Sequence, residues 1–169
     1  MSNPILYDRT WYEIYNAKIK EAYLSLFLAK RSRVRSRLDI IIILSSVTGI
    51  ACYSFCPVVT LVSTIITAAL SIIACCVPAV VPSEADLSAI SKVVSFYTEY
   101  VSSLERLYAH LYDGTVSPEE AEAEFYRLHA EVPMIEASIN RFLHRSHRRI
   151  EAQAVADADR YVNNVFKSI

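Results

Sequence analysis

The sequence predicts an all-α membrane protein in which a two-helix transmembrane hairpin carries a cytoplasmic helical bundle. Three observations predict it. No Asp, Glu, Lys, Arg or His occurs from Ile40 to Ser83, a run of 44 residues. Five basic side chains crowd the approach to that run, and apolar residues on either side of it recur at steps of three and four, the period of a helix. A chain of 169 residues can bury a real core, but 53% apolar residues and a mean hydropathy of +0.27 are high for a soluble domain. The expected organisation is a cytoplasmic amphipathic helix over residues 1–37, the hairpin over 38–82 and a cytoplasmic helical region over 83–169.

The first helix is read from YDRTWYEIYNAKIKEAYLSLFLAK, where Trp11, Ile14, Tyr15, Ala22, Tyr23, Leu26 and Phe27 mostly stand three or four apart. Its aromatic residues Trp11, Tyr12 and Tyr15 suit core or membrane-interface packing better than stacking on bases. The net charge through Asp39 is +4. Lys30, Arg31, Arg33, Arg35 and Arg37 supply most of it, spread around the helix axis as a collar for anionic headgroups. By the positive-inside rule this end is cytoplasmic.

As one helix the uncharged run would extend about 66 Å, roughly twice the ~30 Å hydrocarbon core of a bilayer. Two crossings are therefore predicted, Leu38 to Ser54 and Val58 to Val81, turning at SFCP, where Pro57 lacks an amide hydrogen and disfavours helix at Cys56. Both termini are then cytoplasmic, and only the region around Ser54 to Pro57 faces outside. A cleaved leader is not expected, because the run is too long and starts about forty residues in. A buried hairpin inside a soluble bundle would need other helices on every face. Cys52, Cys56, Cys75 and Cys76 lie in or beside the spans and read as small apolar packers, with neither a disulfide framework nor a metal site expected.

After the hairpin, Leu87, Ile90, Val94, Tyr97, Val101, Leu104, Tyr108 and Leu111 form a heptad seam that requires another helix, from the same chain or a neighbouring subunit. YDGT ends that helix at Asp113 and Gly114, and Ser117, Pro118 and Glu120 begin the next with a capping box. A second seam, Phe125, Leu128, Val132, Ile135, Ile139 and Phe142, meets Pro133, which must kink or divide it. The last helix continues through Ile150, Ala154, Tyr161 and Val165.

Two glycines, Gly49 and Gly114, cannot write a P-loop or a dinucleotide fingerprint, and no nucleophile elbow occurs. No enzymatic activity and no cofactor are expected. Thr60, Thr64, Thr67 and Ser71 step by four, three and four, so they share one face of the second span and are the candidate pore lining. Ser45 and Gly49 are the candidate packing residues of the first span, because small side chains let membrane helices approach closely; the same explanation, packing alone, also fits the hydroxyl stripe. In NRFLHRSHRR, Arg141, Arg145 and Arg148 lie at i, i+4 and i+7, with His144 adjacent, and could grip a phosphate-bearing ligand. Pairing with Glu119, Glu120, Glu122 and Glu124, or plain solvation, explains the same cluster. His144 and His147 read as solvated side chains rather than metal ligands.

The arrangement, with RSRVRSRLDIIIILSSVTGI entering the membrane ahead of a tight hairpin and a long helical tail, resembles the SLATT-type two-transmembrane effectors of bacterial nucleotide-signalling and anti-phage defence systems. The resemblance is architectural and covers nearly the whole chain. It implies an effector that damages its own host membrane as a channel or pore in the bacterial inner membrane; two spans per chain cannot enclose a water column, so a homo-oligomer is expected, a tetramer being favoured. It also implies gating by a nucleotide or oligonucleotide signal made by a partner nucleotidyltransferase. The competing expectation is a non-conducting membrane anchor or assembly module that recruits a cytoplasmic partner through its heptads.

Overall fold

The computed structural model describes residues 4–52, 61–62, 64–66, 68–69, 72, 83–140 and 147–166. Every regular element among them is helical, so the chain is all-α. The helices are α1 (Pro4–Cys52), α2 (Glu84–Asp113), α3 (Pro118–His129), α4 (Val132–Asn140) and α5 (Arg148–Phe166). They contribute to two compact units, Met1–Leu28 with Ser88–Ile169, and Ala29–Leu87.

The core of the first unit is built on α2. The predicted seam is buried at Ile90, Tyr97, Val101, Leu104, Tyr108 and Leu111, whereas Leu87 and Val94 are half-buried. Val93, Tyr100 and Leu107 add a third buried row at seven-residue spacing. A stripe that wide suits a helix with neighbours on two sides, not a two-stranded coiled-coil seam. Those neighbours come from the same chain: Leu6, Ile14, Ala17, Leu24 and Phe27 of α1, Ala121 and Phe125 of α3, Val132 and Ile139 of α4, and Ile150 of α5 share its core.

The stripe of α1 differs in detail from the sequence expectation. Ile14 and Phe27 are buried as expected, but Trp11, Tyr15, Ala22, Tyr23 and Leu26 are only half-buried, and Leu6, Thr10, Ala17 and Leu24 fill the centre. Side-chain size fits the shift, since Thr10 and Ala17 are small enough to be enclosed completely where an indole would need far more room. Thr10, 0% exposed, donates its hydroxyl to the Leu6 carbonyl at 2.8 Å, so no polar atom is stranded there.

Local chemistry sets the helix boundaries. Ser83 and Asp86 exchange reciprocal hydrogen bonds at the start of α2: Ser83 N donates to Asp86 Oδ2 at 3.0 Å, and Asp86 N donates to Ser83 Oγ at 3.1 Å. Gly114 leaves α2 with φ +64°, a left-handed conformation that any Cβ would strain although the space around it is open. The Ser117 and Glu120 capping box starts α3 with Pro118 in the first turn. Pro133 divides the second seam: α3 stops at His129 and α4 restarts at Val132. At the far end Val165, expected on the apolar side, is exposed, and Phe166 takes the contact instead, edge-on to Tyr108 with centroids 5.0 Å apart.

In the second unit Arg35 pairs with Glu84 at 3.0 Å. Ile40, Ile41, Ile43, Leu61, Val62, Ile65, Ile66 and Ile72 are each 47–66% exposed. Among the described residues no helix is long and apolar enough to cross a membrane. About half of the expected hairpin, including its turn at Ser54 to Pro57, lies outside them.

Two substitutions test this packing and capping. Leu104→Ala at the centre of α2 is expected to cost about 2–5 kcal/mol, and Ser117→Ala about 1 kcal/mol, in denaturant unfolding followed by helical circular dichroism. Equal, negligible losses would contradict a core centred on α2.

Candidate functional site

The residues singled out from the sequence are only partly within view. Thr64 is helical and exposed, whereas Thr60, Thr67 and Ser71 lie outside the described residues. Ser45 and Gly49 have helical backbone in α1. Arg148 opens α5 and is exposed; Arg141, His144 and Arg145 lie outside the described residues. His147 departs from the solvated side chain expected for it. Its ring stacks on Phe27 with centroids 6.0 Å apart, and its backbone N donates to Tyr23 Oη at 3.3 Å, so it docks the start of α5 on α1.

A different set of polar residues does converge in the first unit. The row Glu13, Asn16 and Lys20, at i, i+3 and i+7, lies on one side of α1 and lines a cleft of about 400 Å³. The opposite wall is His129 at the end of α3 with Val132, Pro133 and Glu136 of α4. Pro133 is the local cause of this wall, because the break it enforces separates α3 from α4 where His129 and Glu136 flank the joint.

Hydrogen bonds tie the walls together. Tyr100 of α2 donates its hydroxyl to Glu13 Oε1 at 3.0 Å and lies 3.2 Å from His129 Nδ1, which is itself 3.5 Å from Glu13 Oε1. His129 stacks on Phe125 with centroids 5.9 Å apart, an aromatic contact that orients its ring. Across the cleft Lys20 donates to Glu136, and its ammonium lies 5.9 Å from the Tyr97 ring centroid. The Tyr97 hydroxyl is buried and makes no hydrogen bond of ordinary geometry, although Glu136 is close enough to weigh on it.

Burial pushes the Tyr97 phenol well above its ordinary range, and the carboxylates of Glu136 and Glu13 add to the effect. Burial does the same for Tyr100, seconded by the charge of Glu13 and its hydrogen bond. Both shifts come first from burial, and the cleft itself is mixed in charge. It presents two carboxylates, one ammonium and an imidazole, with Ile19, Val132 and Pro133 as apolar wall. Among the described residues no group of three His, Cys, Asp or Glu side chains is placed to hold a metal ion. In chemical terms the arrangement is suited to holding a charge against an apolar wall.

The cleft has no motif in the sequence. A polar row on an aromatic-rich helix was its only local trace, and its opposite wall stands more than a hundred residues away. Comparison with known proteins returns no matching family model, no matching curated protein and no matching solved structure.

The raised phenols give a pH dependence with a definite sign. Folding holds protons on Tyr97, Tyr100, Tyr108 and Tyr161 more tightly than the ordinary phenol value of 10.0, chiefly through burial in each case. Their contribution is fully present below pH 10.0 and is lost as pH rises above it. Titration followed by tyrosinate absorbance and helical dichroism is expected to show a late group of phenols ionising together with unfolding. Early, independent ionisation of all eleven tyrosines would contradict it.

Proposed function

We propose that the chain is an oligomeric membrane effector, a channel or pore whose two-helix hairpin over residues 38–82 sits in the bacterial inner membrane with both termini cytoplasmic. The observation that carries this reading is the 44-residue run without an ionisable side chain, whose described isoleucines, leucines and valine are exposed. Half-burying eight such side chains is worth about 1 kcal/mol each, together comparable with the roughly 5–15 kcal/mol that separates folded from unfolded domains. An apolar phase must supply that burial. Lipid fits better than a protein partner, because a protein interface carries a polar rim and this run offers no charge for one.

Conduction follows from the hydroxyl stripe. Thr60, Thr64, Thr67 and Ser71 on one helix face gain most where water runs beside them, and two spans cannot enclose a water column. Several copies around one axis can, four subunits bringing eight spans, with Ser45 and Gly49 allowing neighbouring helices to approach. The resemblance to SLATT-type effectors supports a nucleotide or oligonucleotide as the gating signal and host-membrane damage as the output. Lys30, Arg31, Arg33, Arg35 and Arg37 hold the cytoplasmic boundary against anionic headgroups.

Topology is tested by labelling intact cells with an impermeant thiol reagent, in a background without native cysteines. Ser54→Cys is expected to react and Ser2→Cys to be protected; the reverse pattern overturns the hairpin. Conduction is tested by planar-bilayer recording. Thr64→Leu and Thr67→Leu are expected to abolish current with oligomer size and expression unchanged. Unaltered conductance, or a wild-type chain that is monomeric in native lipid, contradicts the pore and leaves the anchor.

A further inference from the structure

We propose that α1 and α3 together carry a docking surface for a second copy of this chain, the two copies meeting about a two-fold axis so that Arg9 of each pairs with Glu122 of the other. The inference shares with the proposed function only the expectation of more than one copy. It concerns the first unit alone and stands whether or not the hairpin conducts.

A contact between copies needs a surface of its own. The heptad seam of α2, the obvious candidate in the sequence, is filled from within the chain by α1, α3, α4 and α5. The solvent face of α1 is different. Ile5, Arg9 and Tyr12 stand there at i, i+4 and i+7, and Ile5 and Tyr12 are 76% and 62% exposed. On α3, Glu119, Glu122 and Tyr126 share a face at i, i+3 and i+7, with Tyr126 47% exposed. Arg9 joins the two rows, because its Nη1 donates to Tyr126 Oη at 3.0 Å. Single exposed apolar side chains are ordinary, but three grouped around one guanidinium make a patch.

The charges of this patch are held in place and left unpaired. The Arg9 guanidinium is seated over the rings of Phe125 and Tyr126, 5.1 Å and 5.2 Å from their centroids, yet it pairs with no carboxylate among the described residues. Of the α3 glutamates, Glu120 serves the helix cap and Glu124 holds Arg127. Glu119 and Glu122 are exposed and form no ion pair among the described residues.

That mixture of signs selects the occupant. An acidic peptide drawn to Arg9 would meet Glu119 and Glu122, and a basic one drawn to the glutamates would meet Arg9. A second copy turned about a two-fold axis sets each sign against its opposite, and an isologous contact makes every match twice. Ile5, Tyr12 and Tyr126 then supply the apolar centre and the charges its rim, the usual anatomy of a protein interface.

The test uses the full chain without its native cysteines, reconstituted at low density in phosphatidylcholine vesicles and treated with a short bis-maleimide. Ala123→Cys places the thiol on an exposed small residue between Glu122 and Tyr126, and Ser102→Cys places it on the exposed side of α2 as a control. Cross-linked dimer is expected from the first and little from the second. Adding Arg9→Glu or Glu122→Arg to Ala123→Cys is expected to lower the yield at least about fivefold, the affinity equivalent of one exposed ion pair. Mixing these two variants, on chains made distinguishable by size, is expected to restore a cross-link between unlike chains, because the reversed charges then face their opposites. Recovery between two variants that each fail alone cannot arise from misfolding. No dimer from Ala123→Cys, equal yields from Ala123→Cys and Ser102→Cys, a cross-link to a different protein when the experiment is run in cells, or no recovery in the mixture overturns the proposal. Planar-bilayer current reports on the pore separately: current without the Ala123→Cys cross-link overturns this contact and keeps the pore, and the cross-link without current does the reverse.

Discussion

Burial of one wide stripe, Ile90 to Leu111 on α2, is the constraint from which the first unit follows. A helix with apolar side chains in three rows cannot satisfy them with a single partner, so α1, α3, α4 and α5 all contribute to its core. Small residues are enclosed completely in this packing: Thr10 and Ala17 on α1, Ala121 on α3, and Ala154 and Ala158 on α5 are all essentially inaccessible. Larger side chains at these points would force the packed helices to shift, a change that close-packed cores resist.

Tyrosine both fills this core and ties its rim. An aromatic ring fills volume in the centre while its hydroxyl reaches a partner at the rim. Tyr100 bonds Glu13, Tyr108 bonds Tyr7, Tyr161 bonds Glu105, and Tyr15 bonds Asp159 at 2.8 Å. Each of these bonds joins different helices or distant points of the chain, so the rim adds direction to a hydrophobic attraction that has none. Lys18 over the Tyr161 ring at 4.1 Å and Arg9 over Phe125 at 5.1 Å seal the same rim with cations. Tyr97 departs from the pattern, because its hydroxyl is buried near Glu136 without a hydrogen bond of ordinary geometry.

The second unit poses the opposite problem. From Ile40 to Ser83 its sequence carries no Asp, Glu, Lys, Arg or His, and hydroxyls are the main polar groups that interrupt the apolar residues. A helix this apolar belongs in the interior of something larger, whether protein or lipid. The basic residues before the run and Glu84 after it place ionisable groups at both boundaries, and Arg35 meets Glu84 there. That distribution is the physical basis for reading the run as a hairpin that leaves and re-enters the same aqueous side.

What could be read from the chain by itself was whatever short-range chemistry decides. Ser117 with Glu120 starts a helix and Gly114 ends one, because caps and left-handed turns involve residues within four positions of each other. Pro133 divides a seam because it cannot donate to the preceding turn. Helical content and the burial of Ile90, Tyr97, Val101, Leu104, Tyr108 and Leu111 follow from periodicity alone. Periodicity did not say whether the partner of that seam lay in the same chain; the tertiary structure decided it, since the answer depends on which faces fit once all helices compete. The same holds for the shift of the α1 stripe toward Thr10 and Ala17, for Phe166 replacing Val165, and for His147 stacking on Phe27. It holds most of all for the cleft. Glu13 and His129, or Lys20 and Glu136, are separated by 116 positions, and no local preference of either residue encodes a pairing that arises only when two helices are held side by side by a third.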